Sequence, residues 1–365
     1  VRVGTPAESR PAERRVACVP ETVAPLVEAG LTVLVQEGAG RHAHAVDAAY
    51  RAAGASVVPD DPVGDVNVVL SVQPLTVDQA RNLRQGDITI SFLSPATEPD
   101  LVRLYAERGV TSFSFDLLPR VTRAQSMDAL SSQALVAGYR AVLIAAERLP
   151  RFLPMFTTAA GTVPPAKVLV LGAGVAGLQA IATARRLGAV VEAYDIRAAA
   201  AEEVRSLGAR FLELDLEKQD GVYASAQSEE FLERQRELIG ERVAASDVVI
   251  TTAAVPGRRA PVLVTTDMLK AMTPGSVVVD GAAESGGNCA GSVPGEDTWV
   301  GEVLVHGALN LPSGMPVHAS KLYARNVLNL LKPMLVDGAV VPDMTDEVLA
   351  GCCVTHDGVV RKELP

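Results

Sequence analysis

The chain has 365 residues, 48% of them hydrophobic and 21% charged, enough for two domains of ordinary size with buried cores. A formal charge of −10 disfavours nucleic acid and anionic lipid as direct partners, while leaving docking on a membrane protein open. The longest apolar runs are of strand length, short of the roughly 20 residues a membrane helix needs, so a soluble chain with no direct membrane span is expected. Cys18, Cys289, Cys352 and Cys353 form no CxxC pair, and no His stands at zinc-finger spacing; they read as free thiols in a reducing cytoplasm.

The first third alternates short β-rich runs with helical stretches. Residues 1–4, 31–36, 66–70, 88–92 and 110–115 read as strands; 21–29, 47–53, 77–83 and 101–108 read as helices, the first two closed by Gly30 and Gly54. This βαβα rhythm implies a parallel sheet covered on both faces. Residues 118–140 break the rhythm with Ser and Gln, and a helix is expected over 138–148. A strand, a glycine turn and a helix follow over 167–188, then strands at 190–194 and 210–212 around a helix at 202–207. The polar stretch 215–240 is too long for a simple connection; it reads as an exposed loop followed by an amphipathic helix near 229–239. Strands are expected at 248–251 and 277–280, and a helix over 321–331 is expected to pack back on the first domain.

Lys167-Val-Leu-Val-Leu-Gly172-Ala-Gly174-Val-Ala-Gly177 is a GxGxxG run in a demanding context. It follows an apolar strand, opens a helix, and a second strand ends at Asp195 about 18 residues later. Gly172 permits a sharp turn, Gly174 lets the backbone approach a pyrophosphate, and Gly177 lets the helix lie close to the strand. The helix end, with Val175, offers N–H groups and a positive dipole to phosphate. Asp195 can accept hydrogen bonds from ribose hydroxyls and would repel a 2′-phosphate, which favours NAD over NADP. Ile196 adjoins it, and Arg197 could soften that repulsion. Two small-residue loops, one with Ala253 and Ala254, the other with Glu284 and Asn288, follow strands at ends where ligands sit in such sheets. Ordinary turn chemistry explains either loop nearly as well.

In the polar segment, Gln125, Asp128 and Ser131 are spaced by three, so a helix would set them on one face; Thr122-x-x-Gln125 also reads as a capping box. Composition alone leaves these readings level. The run Arg-Ala-Gln-Ser-Met-Asp with Ser-Ser-Gln and Ala-Gly-Tyr-Arg-Ala resembles the NAD(H)-binding component of proton-translocating NAD(P) transhydrogenases, a family related to alanine dehydrogenase. Tyr-Asp-Ile-Arg, Glu-Ser-Gly-Gly-Asn-Cys and Glu13-Arg14-Arg15-Val-Ala-Cys resemble the same family, so the likeness spans nearly the whole chain. It implies that Arg120, Gln125 and Asp128 meet the nicotinamide, with Ser131 beside the carboxamide and Gln125 bridging toward NADP(H) on a partner. It also implies a mobile loop closing through Tyr223, NADP(H)-binding and membrane partner subunits, a homodimer, and a peripheral place at the cytoplasmic face of the membrane; Tyr139 lies in a matched stretch but is expected to pack. The sequence departs from the family at Ala7 in Pro6-Ala7-Glu8, where Lys is usual, and at Gly281, where a larger aliphatic residue is common.

The expected architecture is α/β: two Rossmann-like doubly wound parallel-sheet domains with a cofactor cleft between them. Residues 1–125 plus 310–365 would form the first, and 126–309 the NAD(H)-binding one. Hydride transfer between two nicotinamides needs positioning and exclusion of water rather than an acid or base. The main alternative is an NAD-dependent amino-acid dehydrogenase like alanine dehydrogenase, which would need cations and a histidine. Arg15 is present, but residues 71–74 contain no lysine and residues 91–94 no histidine. A non-catalytic NAD-binding module would have no use for the polar segment. No metal site is expected, and His42 and His44 read as surface residues.

Overall fold

The computed structural model describes residues 1–214, 229–254 and 259–361. These form two compact units: Val1–Gln133 with Pro312–Pro365, and Ala134–Leu311.

The first unit runs β1 (Arg2–Thr5), α1 (Pro20–Glu28), β2 (Thr32–Gln36), α2 (Asp47–Ala52), β3 (Ser56–Val58), β4 (Val68–Leu70), α3 (Val77–Arg81), β5 (Ile88–Ser91), α4 (Pro99–Glu107) and β6 (Thr111–Ser114). Helix α5 (Ala129–Arg148) carries the chain into the second unit. That unit contains β7 (Phe156–Thr158), β8 (Gly161–Val163), β9 (Lys167–Leu171), α6 (Val175–Arg186), β10 (Val190–Tyr194), α7 (Ala200–Ser206), β11 (Arg210–Phe211) and α8 (Glu229–Ala244). It ends with β12 (Val248–Thr251), α9 (Thr266–Lys270), β13 (Val277–Asp280), β14 (Asp297–Val300) and β15 (Val303–Gly307). The chain then returns to the first unit with α10 (Pro316–Leu331), β16 (Leu335–Val336), β17 (Ala339–Val340), α11 (Glu347–Cys352), β18 (Cys353–His356) and β19 (Val359–Val360).

Each unit is a doubly wound α/β sheet. The first has strand order β19-β18-β6-β5-β4-β1-β2-β3 and the second β11-β10-β9-β12-β13-β15-β14. Both contain the 3-2-1-4-5-6 arrangement of dinucleotide-binding folds, with the order reversing between β1 and β4 in one sheet and between β9 and β12 in the other. The sheets are parallel except at one edge each, where β18 and β19, or β14, run antiparallel. Strands β4, β5, β12 and β13 are short, Val/Ile-rich and buried along their whole length, as strands covered on both faces must be.

Helix α10 belongs to the first unit, as expected: Tyr323, Val327, Leu330 and Leu331 share a core with Val33, Val68 and Ile90, and the Tyr323 hydroxyl donates to the Ser71 carbonyl at 2.7 Å. All four cysteines are buried. His42 and His44 are exposed.

Several expectations need correction. Helix α5 begins at Ala129, not near residue 138, because Asp128 caps it and the Ser/Gln side chains of its first turns are tolerated there. At 20 residues, α5 is also long and apolar enough to cross a membrane by length and composition, which the strand-length runs do not suggest. Its Ala141, Val142, Ile144 and Ala145 lie in the core of the second unit, the place of a core helix. Strands β3, β7, β8, β14, β15 and β16 to β19 go beyond the elements expected from the sequence; most are two to four residues, too short to show a period.

Candidate dinucleotide site

The glycine loop lies where the second sheet reverses its order. Gly172 ends β9 with φ +98°, a left-handed conformation that suits glycine. A Cβ on Gly177 would lie 1.8 Å from the Gly172 carbonyl oxygen, so only glycine lets α6 start this close to the turn. Around a Cβ on Gly174 there is nothing within 4 Å among the described residues, which leaves open space for a ligand to approach the backbone. Helix α6 starts at Val175 with no side chain among the described residues capping it, which leaves its N-terminal N–H groups to an anion. The open cradle, uncapped helix end and carboxylate at the end of β10 fit a dinucleotide.

That carboxylate, Asp195, is only 7% exposed. Its Oδ2 accepts from the Ala173 N–H at 2.7 Å, which ties β10 to the glycine loop. Arg197 meets it as well: its backbone N–H donates to Oδ1 at 2.8 Å, and its guanidinium reaches both oxygens at 3.0 and 3.1 Å. Burial works against the charge on Asp195, but the Arg197 hydrogen bonds outweigh it and hold the carboxyl below its ordinary value. The guanidinium also donates to the Ala173 carbonyl and is itself 60% exposed. It therefore covers the acceptor positions a ribose diol would use, and a ribose must displace it to bind. Ile196 and Val175 are exposed apolar side chains beside this loop, at 61% and 42%.

The loop after β12 is joined to the glycine turn by Thr252, whose hydroxyl donates to the Gly172 carbonyl at 3.0 Å. Ala253 and Ala254 follow, Ala254 exposed. Asn288, expected at the cofactor, has its side chain engaged within the protein. It is fully buried, its amide donates to the Ala253 and Pro261 carbonyls, and its Oδ1 accepts from the Ala253 N–H. It shapes the Ala253 loop, and both of its amide donor bonds go to backbone carbonyls. Asp280, at the end of β13, is a residue that sequence reasoning misses. Its oxygens gather the Thr251 hydroxyl and the N–H groups of Ala282, Asn288 and Cys289, locking two loops together. A carboxylate closing the apolar run Val277-Val-Val-Asp280 is the signal that could have found it. Glu284 is exposed and accepts from the Asn310 N–H. Tyr223 lies outside the described residues.

In the first unit, residues Thr122–Met127 form a 3₁₀ helix whose N-cap is Val121, so the Thr122/Gln125 capping box is absent. Ala124 and Met127 are buried; Arg120 and Gln125 are exposed, and neither side chain has a partner among the described residues. Asp128 instead caps α5: its Oδ1 accepts from the Ser131 N–H at 2.9 Å and its Oδ2 from the Ser131 hydroxyl at 2.5 Å. Tyr139, expected to pack, is 37% exposed. Arg15 is held in a buried pair by Glu13 and donates to Gln133 at 2.9 Å. Burial disfavours the Glu13 charge, yet Arg15 brings its carboxyl down to about 2.

Two family profiles account for nearly all of the chain: the alanine dehydrogenase/PNT N-terminal domain over residues 4–137 and the C-terminal domain over 141–363. The chain belongs to the alanine dehydrogenase/PNT family. It is 44% identical to a NAD(P) transhydrogenase subunit alpha polypeptide of Rhodospirillum rubrum, over 99% of this chain and 97% of that protein. The transhydrogenase structure from Sinorhizobium meliloti superposes with a TM-score of 0.91 at 45% identity, covering 99% of this chain and all of that one. Alanine dehydrogenase of Mycobacterium tuberculosis is more distant, 31% identical over the whole chain and 95% of its own length. Within the family the chain thus stands nearer the transhydrogenase alpha subunits.

Proposed function

We propose that this chain is the NAD(H)-binding subunit of a proton-translocating NAD(P) transhydrogenase. Its work is direct hydride transfer between NADH and NADP⁺ held by a partner subunit. The observation that carries this reading is the Gly172–Gly177 cradle with Asp195 at its rim, fit for a dinucleotide whose ribose carries no 2′-phosphate. With Arg197 turned aside, the Asp195 carboxylate can accept from ribose hydroxyls and repels a 2′-phosphate, which supports NAD(H) here and NADP(H) elsewhere.

The nicotinamide, when bound, carries the hydride; this chain's residues bind, orient and exclude water. Arg120, Gln125, Asp128 and Ser131 act at the nicotinamide in this reading, with Gln125 turned toward the partner's nucleotide and Tyr223 closing over NAD(H). The side chains of Arg120 and Gln125, exposed and without a partner among the described residues, support it. Proton translocation belongs to membrane subunits, to which this chain would be peripheral at the cytoplasmic face. A homodimer fits the exposed apolar surface formed by Phe152, Met155 and Phe156.

The amino-acid dehydrogenase reading lacks its cations. Residues 71–74 and 91–94 supply neither lysine nor histidine, and Arg15 is already engaged by Glu13 and Gln133. The purified chain should bind NADH well ahead of NADPH and should not reduce NAD⁺ with L-alanine. It should transfer hydride to NADP⁺ only when the NADP(H)-binding partner is added. Asp195→Ala should narrow the NADH/NADPH gap, and Gln125→Asn should slow hydride transfer at nearly unchanged NADH affinity. Reduction of NAD⁺ by alanine would overturn the proposal.

A further inference from the structure

The 3₁₀ helix bearing Gln125 runs for six residues, longer than such helices ordinarily persist on their own hydrogen bonds. Its stability must come from outside, and three ties supply it. The Ser126 carbonyl accepts two side-chain amides, from Asn326 and Asn329 of α10, each at 2.9 Å. These asparagines are three apart and share one helix face. The Asn326 Oδ1 in turn accepts from the Ser132 hydroxyl at 2.7 Å, which fixes the orientation of its amide and joins the clamp to the first turn of α5. Arg123 forms a two-bonded pair with Asp346 at 2.6 and 2.8 Å. Ala124 and Met127 are the apolar anchors beneath. Every residue from 123 to 127 except Gln125 is thus fastened to α10, to Asp346 or to the core, and Gln125 projects from between the fastened ones.

We propose that Asn326 and Asn329 are positioning residues for Gln125, holding its segment through the doubly accepted Ser126 carbonyl so that its amide is preset for hydride transfer. This rests on the assignment of Gln125 above. A clamp that acts through geometry should matter to the hydride step more than to NADH affinity, because small misplacements of a positioning group cost rate steeply.

The test uses the chain assembled with its partner subunits, reading single-turnover hydride transfer from NADH to NADP⁺ beside the NADH dissociation constant. Asn326→Leu/Asn329→Leu should slow transfer by about tenfold, with NADH affinity within about twofold. Asn329→Gln, which keeps a donor on a longer arm, should retain most of the rate. Adding Gln125→Ala to the double variant should slow it no further than Gln125→Ala alone. Wild-type transfer in a folded double variant, or slowing that simply adds to that of Gln125→Ala, overturns the proposal. Amide exchange of residues 122–127 in Asn329→Leu, a milder surface change, reads the clamp independently: faster exchange supports it, and unchanged exchange overturns it. If Gln125→Ala leaves hydride transfer untouched, the assignment of Gln125 fails, whatever the exchange experiment says of the clamp.

Discussion

At the scale of single residues, Glu8 carries the clearest titration. Its carboxylate sits where the first sheet reverses its order, accepting from the Val72 and Gln73 N–H groups at 2.5 and 3.2 Å. Burial pushes its carboxyl up to about 7, despite those two donors. Between pH 4.5 and 7 the folded chain therefore holds a proton that the unfolded chain has released. The contribution of this group to stability is complete below pH 4.5 and is lost as pH rises through 7. Thermal melts should accordingly show Glu8→Gln gaining stability relative to the parent as pH is raised from about 5 to about 8; parallel melting curves would contradict the raised value. The sequence exposes such residues unevenly. The glycines and Asp195 are legible because a turn, a close approach and a strand-end carboxylate each demand one residue type. Asn288 is not, since nothing in a lone asparagine says whether its amide faces a ligand or a neighbouring carbonyl.

At the scale of elements, the start of α5 sets a structural duty beside a proposed one. Asp128 closes the N-terminus of a 20-residue helix through Ser131, and the proposed function gives it a place at the nicotinamide. The two duties separate by substitution. Asp128→Ala removes the cap, which costs about 1 kcal/mol and should lower the melting temperature by roughly 2–4 °C. Asp128→Asn keeps a competent cap and should melt close to the parent. Its hydride transfer then measures what the charge does: a rate equal to the parent would reduce Asp128 to a capping residue. Short strands built on runs of Val and Ile are readable from sequence to within a residue or two, and β10, β12 and β13 lie where the apolar runs place them. The start of α5 is not readable, because Ser131, Ser132 and Gln133 look like loop until the capping carboxylate is seen to hold them.

At the scale of the whole molecule, the two units differ in how the chain supplies them. The second is continuous from Ala134 to Leu311, whereas the first is completed by residues from Pro312 onward. The passage from one to the other lies inside α5, where no turn residue marks it; a division of the sequence at residues 125 and 309 follows motifs, while the compact units follow packing. Residues 129–311 expressed alone should fold cooperatively and retain NADH binding, since they hold the glycine loop, Asp195 and both loops fastened by Asp280. Residues 1–133 alone should not: they lack Tyr323, Leu330 and Leu331 from their core, and β6 is left without its antiparallel neighbour β18. Far-UV dichroism and melting of the two fragments decide this, and a cooperatively melting 1–133 fragment would refute it. The pairing of β6 with β18 also has a bearing on biosynthesis. On the ribosome, β6 must wait with an open edge until β18 has been made, so the continuous unit Ala134–Leu311 is complete first and the other unit is the one exposed to chaperones and to premature self-association.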